Sequence, residues 1–349
     1  MAESPAGIVM DMKSGFFSHI YVERQVAEHE ETRRILERFP NASKVYINHY
    51  KDMFNRKHQN FYAQKQAPSL ILARKDGRLV YPGAPVCQSF GNHYFYYTSC
   101  MMNCLYDCEY CYLQGMYPSG NVVLFVNLED IFDEVDALLS QHPVYLCVSY
   151  DTDLLAFESI AGFVQRWYDF ARTRPLLTIE IRTKSGAFGQ LEGLPPLPNV
   201  IFAWTLSPAG VIAASEHHTA SLAVRIHQLR KAARLGFNVR VCFDPLIYVN
   251  SFSEVYGELI DEVFSEPVNI MDASIGVFRV SVDYLKKMRR QRPDSALLWF
   301  PFEAQQGVYH YGRELSEAMT KTVKDHLLKY LDESKIFIWN GGDDHDTEA

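Results

Sequence analysis

No apolar run in the 349 residues approaches the roughly 18 that a membrane span needs. The opening MAESPAG also lacks the basic and apolar stretches of a secretory signal, so the expected compartment is the cytoplasm. Positive charge is scarce: 34 Lys and Arg face 42 Asp and Glu, a net charge of −8, which excludes a protein held to phosphate by uniform attraction. A nucleic-acid partner would need a local basic patch. Repeats of solenoid period and low-complexity tracts are missing. With 48% hydrophobic and 22% charged residues the chain carries too much core-forming material to stay disordered. Cysteine is present without the pattern of a disulfide framework. There are seven, at 87, 100, 104, 108, 111, 147 and 242, an odd number with four inside twelve residues. That clustering points to a metal in a reducing compartment.

Residues 13 to 90 mix a strand candidate at His19 to Glu23, a charged helix at Arg24 to Arg38, and apolar runs at Lys44 to Ile47 and Leu70 to Ala73, a region of α/β character. From about residue 120 short apolar runs alternate with longer helical stretches. The expected strands are Val122 to Val126, Val144 to Ser149, Leu177 to Arg182, Val200 to Thr205 and Val239 to Phe243. Between the first two lies an amphipathic helix with Leu128, Ile131, Val135 and Leu139 on one face, Asn127 as its N-cap and Glu129 and Asp130 in its first turn. A second helix runs from about His218 to Leu235, with Gly236 at its C-cap. Strand then helix, repeated about five times, implies a parallel sheet covered by helices, best met by an open or closed β/α barrel. Ligands then gather beyond the C-terminal ends of the strands.

The stretch Ser99 to Gln114 reads SCMMNCLYDCEYCYLQ, in which Cys104, Cys108 and Cys111 have the spacing C-x3-C-x2-C. Three thiolates on one short loop can hold three irons of a [4Fe–4S] cube and leave the fourth open to a non-protein ligand. A structural zinc site instead closes four ligands, usually as pairs from separate turns. Packing is the third possibility: Cys100, Cys104, Cys108 and Cys111 would share one face of a helix, as core cysteines do. Four cysteines in twelve residues exceed ordinary core usage, and the following residues lead to a strand, so a cluster is the better reading. Cys100 is then surplus, packed nearby or an alternative ligand. Glu216-His-His-Thr219 does not suggest a second metal, because adjacent helical histidines point about 100 degrees apart. These residues are read as the start of a helix or as a cofactor-side loop.

The cysteine loop resembles that of the radical S-adenosylmethionine enzymes, and within them the spore photoproduct lyase family. The likeness rests on Cys108-Glu-Tyr-Cys-Tyr-Leu-Gln114, on Val126-Asn-Leu-Glu-Asp-Ile-Phe132, and on collinear features beyond about residue 15. It implies a partial (β/α)6 barrel over 96–300 with the cluster loop at or after its first strand. An N-terminal α/β region over 1–95, a C-terminal hairpin and helix segment over 301–340 and an acidic tail over 341–349 would flank it. The resemblance further implies a [4Fe–4S] cluster whose open iron chelates S-adenosylmethionine, and one-electron cleavage of the sulfonium to methionine and a 5′-deoxyadenosyl radical. In the family that radical starts the fragmentation of a methylene-bridged thymine dimer in DNA. Carried over by position, Lys184 would meet the methionine carboxylate, Thr152 and Thr205 would lie near the same ligand, and Asp244 would offer its backbone to the adenine. Tyr110 and Tyr112 match the tyrosine pair beside the cluster. A low-potential electron donor such as flavodoxin or ferredoxin is implied as a partner.

One departure from the family matters more than these matches. Where the lyase has a hydrogen-donating cysteine, this chain has Tyr150, in Tyr150-Asp-Thr-Asp153. Cys147 lies three residues earlier on the same strand, where alternation would turn it to the opposite face. Hydrogen return would then fall to Tyr150, Tyr112 or Cys147 after a local shift, unless the reaction differs. For DNA, Gln305 to Arg313 resembles the family's lesion-entering hairpin, with Tyr311 and Arg313 as its contacts and Glu314 in place of a tyrosine. Lys286 to Arg292, with five cations in seven residues, is either a phosphate patch or a solvated helix face. The expectation is therefore a cytoplasmic DNA-repair lyase. The alternatives are a family enzyme with another nucleic-acid or small-molecule substrate and a non-catalytic zinc-stabilised nucleic-acid-binding protein.

Overall fold

The computed structural model describes residues 15–84 and 87–339; the acidic tail expected at 341–349 lies outside the described residues. Apolar runs that bury both faces make a large sheet whose central strands are Phe95–Thr98, Val144–Cys147, Leu177–Thr183, Val200–Thr205, Asn238–Leu246 and Asp272–Val277. They neighbour one another in that order and are all parallel. Helices such as Leu128–Leu139, Phe163–Arg172, Leu222–Arg234 and Phe252–Phe264 lie between successive strands, as parallel neighbours require. Val80–Pro82 pairs antiparallel at one edge and Ile336–Ile338 parallel at the other, so the strand order is linear and the barrel partial.

Val122–Phe125 lies elsewhere than expected. It joins a second sheet in the order Ser43–Ile47, His19–Glu23, Leu70–Ala73, Val122–Phe125, Met101–Met102. All four of its residues are buried, and an apolar run of this kind does not reveal which sheet it completes. The first barrel strand is instead Phe95–Thr98, a tyrosine-containing run just before the cysteine loop. The N-terminal sheet therefore borrows strands from both sides of that loop.

Two helix starts also differ in detail. Asn127 does not cap the following helix; its side-chain amide brackets Lys75, accepting from the backbone nitrogen at 2.8 Å and donating to the carbonyl at 3.0 Å. The helix expected from His218 begins at Leu222, capped by Ser221, because Glu216–His217 is drawn into a short strand. Gly236, at φ 88°, does follow its end, the left-handed position that glycine occupies without strain.

Candidate active site

The strands' C-terminal ends and the cysteine loop enclose a cavity of about 540 Å³. Cys104, Cys108 and Cys111 all line it, as do Thr152, Lys184, Thr205 and Asp244. The latter four come from four successive strand ends, which is why residues distant in sequence converge. Tyr110, Tyr112, Cys147 and Tyr150 complete the expected set on the same wall.

The loop's shape is fixed from outside the cavity. Asp107–Cys108 pairs antiparallel with Glu216–His217, placing Cys108 opposite Glu216. The buried Lys65 ammonium donates to the carbonyls of Cys104 and, at 2.8 Å, Tyr106. On the other flank the buried Arg292 donates to Gln114 Oε1 at 2.7 Å and forms an ion pair with Asp107. Gln114 Nε2 in turn donates to the Cys108 carbonyl at 2.5 Å. Glu109 accepts from Ser295 at 2.5 Å and lies 3.0 Å from His217. The Glu216 and His217 pair is thus the cofactor-side element of the two expected readings.

Charge around the loop is arranged in layers. Burial by itself would drive Glu216 toward protonation, but Arg225 and Lys184, with the hydroxyls of Tyr110 and Ser207, hold its carboxylate down to about 2. Burial likewise opposes the charge on Lys184, yet Glu216 and Cys108 raise its pKa, so the ammonium stays charged inside the cavity. It sits 5.3 Å from the Tyr110 ring centroid. Asp153 accepts from the Lys184 backbone nitrogen at 2.7 Å and from Thr183 Oγ1 at 2.8 Å, fixing the strand end that carries the lysine. Burial pushes the Cys104 thiol up to about 12 and raises Cys108 and Cys111 as well.

The residues present fit a cluster with an open iron better than a closed zinc site. Among the described residues, no three Cys, His, Asp or Glu side chains group closely enough to hold a single metal ion, while three thiols of one loop face one cavity. Thr152 Oγ1 is buried against that cavity without a hydrogen-bond partner, an arrangement that a polar ligand would satisfy. With Lys184 it offers a cation and a hydroxyl to a carboxylate-bearing molecule.

Several expected residues take other places. Cys100 is fully buried, directs its thiol to the Val148 carbonyl at 3.7 Å and does not line the cavity, so it is packing. Cys147 does face the cavity together with Tyr150. The strand ends at Cys147, so alternation does not extend to residue 150. Tyr311 is buried in an aromatic group with Phe300, Phe302 and Tyr248 and is not on the cavity wall. Arg313 is 88% exposed and pairs with Glu317. The basic run divides: Arg292 is buried against the cysteine loop, while Lys286, Lys287 and Arg290 are exposed.

Sequence reading missed Cys87. It lines the cavity and donates to the Tyr150 hydroxyl at 3.7 Å. Tyr150 stacks on Tyr97 with centroids 4.0 Å apart, and the Tyr112 hydroxyl donates to the Tyr150 carbonyl at 2.9 Å. Burial raises the Cys87 thiol, so it retains its hydrogen. The only available signal was a lone cysteine upstream of the loop, which by itself indicates nothing.

A partial parallel barrel with three loop cysteines at the mouth, facing a half-buried lysine, defines the radical S-adenosylmethionine class. The family model for spore photoproduct lyase matches residues 94–291, well over half of the chain. The protein belongs to the spore photoproduct lyase family. Its fold is similar to that of a spore photoproduct lyase complexed with dinucleoside spore photoproduct, at a TM-score of 0.80 and 15% identity over 93% of this chain and 98% of the other. A mutant lyase with bound AdoMet and dinucleoside spore photoproduct is also similar, with a TM-score of 0.79 and 16% identity over the same shares. No curated protein matches the sequence.

Proposed function

We propose that this protein is a radical S-adenosylmethionine lyase that reverses the methylene-bridged thymine dimer in DNA, and that Cys87 supplies the hydrogen returned to the product. One observation carries the reading: the three cluster thiols, the charged Lys184, the unpartnered Thr152 hydroxyl and a protonated thiol line one cavity. When bound, the cluster and S-adenosylmethionine supply the carbon radical that abstracts hydrogen from the lesion.

This chain's residues bind, orient and shield. Cys104, Cys108 and Cys111 would hold three irons. Lys184 would meet the methionine carboxylate as a half-buried cation, and Thr152 would donate or accept beside it. The aromatic wall of Phe95, Tyr97, Tyr112 and Phe278 limits water at the reacting atoms. The Tyr150 hydroxyl accepts from the Cys87 S–H and so holds that sulfur on the cavity wall. Cys147, directed instead at Glu180 Oε1 3.8 Å away, is the less favourably aimed sulfur.

Tyr150 also supports a second reading, in which the same radical chemistry serves a different nucleic-acid or small-molecule substrate. Anaerobic reconstitution and reduction with dithionite separates the possibilities. The expected protein binds about four irons, releases 5′-deoxyadenosine and converts dinucleoside spore photoproduct to two thymidines. Deoxyadenosine without dimer turnover would shift the assignment to another substrate. Stoichiometric zinc without iron would overturn the enzyme reading.

A further inference from the structure

The helix Val282–Gln291 connects the protein surface to a cluster thiol. Leu285 and Met288 turn inward, and Arg292 follows on the same buried face. A Cβ on Gly115 would lie 2.3 Å from Tyr284 Cβ and 2.6 Å from its Cα. Glycine at 115 therefore lets the turn after Cys111 rest directly on this helix. From Arg292 a bonded route runs inward: its Nε donates to Gln114 Oε1 at 2.7 Å, and Gln114 Nε2 donates to the Cys108 carbonyl at 2.5 Å. Two hydrogen bonds thus separate the helix from the backbone of a thiol assigned to the cluster.

The outer face of the same helix carries Lys286, Lys287 and Arg290, all exposed, with Arg290 adjacent to Lys287 at i+3 and to Lys286 at i+4. Among the described residues none of the three has a carboxylate at ion-pair distance. Alongside, Trp299 is 55% exposed, with the Arg289 guanidinium 4.9 Å from its ring centroid. On a chain of net charge −8, an unpaired cationic face beside an exposed indole suits an acidic protein partner.

We infer that this face docks an acidic low-potential one-electron carrier, a flavin or iron–sulfur protein, and that the Arg292–Gln114–Cys108 route couples it to the cluster. The inference rests on the cluster reading given above. In the step the carrier loses one electron and the cluster gains one, with no bond made or broken. A phosphate anchor could use the same cations, but it has no need of a bonded connection to Cys108. An electron donor gains from packed, hydrogen-bonded groups between its docking face and the loop, and opposite charge would also steer its approach.

The test uses reconstituted holoenzyme and the triple variant Lys286→Glu, Lys287→Glu, Arg290→Glu. Bleaching of the cluster absorption is followed by anaerobic stopped flow, with dithionite and with photoreduced flavodoxin at several salt concentrations. Dithionite should bleach both proteins at rates within about twofold, whereas flavodoxin should reduce the variant roughly tenfold or more slowly, with its salt dependence lost. Equal reduction of both proteins by flavodoxin would overturn the inference. So would unchanged flavodoxin reduction combined with lost binding of lesion-containing duplex DNA, which would make the face a phosphate anchor. Failure of dithionite to bleach the wild-type protein would remove the cluster reading, and this inference with it.

Discussion

The thiol of Cys87 points at the hydroxyl of Tyr150 across 3.7 Å, and the Tyr150 ring stacks on Tyr97, which pairs in register with Cys147 on the neighbouring parallel strand. Cys87 thereby sets a sulfur on the cavity wall beside Tyr150. Removing it by Cys87→Ala should leave 5′-deoxyadenosine release intact while repaired product falls to background. In deuterium oxide the wild-type product should carry one solvent-derived deuterium, introduced through the exchangeable S–H, and Cys147→Ala should not change this. Mass spectrometry of the product decides. Deuterium loss in Cys147→Ala rather than Cys87→Ala would transfer the role to Cys147.

The parts of this site that were legible in sequence are local ones. Cys104, Cys108 and Cys111 declare themselves by spacing on one loop, whereas Lys184 and Thr205 stand at the ends of apolar runs and were singled out only by the family resemblance. Cys87, Lys65, Glu216 and Arg292 reach the loop from four distant segments, through strand pairing and helix packing that no short-range pattern encodes. The misplaced strand Val122–Phe125 has the same cause, since burial on both faces removes the alternation that would show its sheet. Arg292 looked like one more cation in a basic run, and only its burial separates it from Lys286 and Arg290.

Arg292 and Asp107 form an ion pair with side chains 7% and 1% exposed. Removing one partner strands the other charge, so Arg292→Met should destabilise the protein by about 3–5 kcal/mol and reduce iron uptake. The double variant Arg292→Met, Asp107→Leu should recover much of that stability, because two apolar groups need no counter-charge. Denaturant midpoints of the metal-free proteins measure the first effect and iron content the second. Equal midpoints for wild type and Arg292→Met would show that the pair does not hold the loop.

The three loop thiols are protonated at neutral pH in the metal-free protein, because burial raises each of them, Cys104 to about 12. Iron binds the thiolates, so cluster assembly should release about three protons and grow more favourable as pH rises. A pH-stat trace during anaerobic reconstitution counts them. Cys104→Ala should release one fewer and hold the cluster poorly, whereas Cys100→Ala should match wild type, since Cys100 faces the Val148 carbonyl outside the cavity. An identical count for Cys104→Ala would remove that residue from the ligand set.

Glu216 links the loop, the lysine and Arg225, and its carboxylate titrates lower folded than unfolded, at about 2 against its ordinary 4.5. A depressed acid contributes stability that is fully present above the unfolded value and is lost as pH falls through the folded one. The difference amounts to about 3 kcal/mol, which should disappear between roughly pH 5 and pH 2. Asp151, Asp153 and Glu158 shift the other way because burial raises them, so the whole protein's acid profile mixes both signs. The comparison of wild type with Glu216→Gln isolates the one group. At pH 7 the variant should be less stable, because Arg225 and Lys184 lose their counter-charge. Below about pH 2 the two stability curves should converge, as protonation makes the native glutamate neutral too. Parallel curves across that range would mean that Glu216 is not ionised in the folded protein and that Lys184 draws its charge stabilisation from elsewhere.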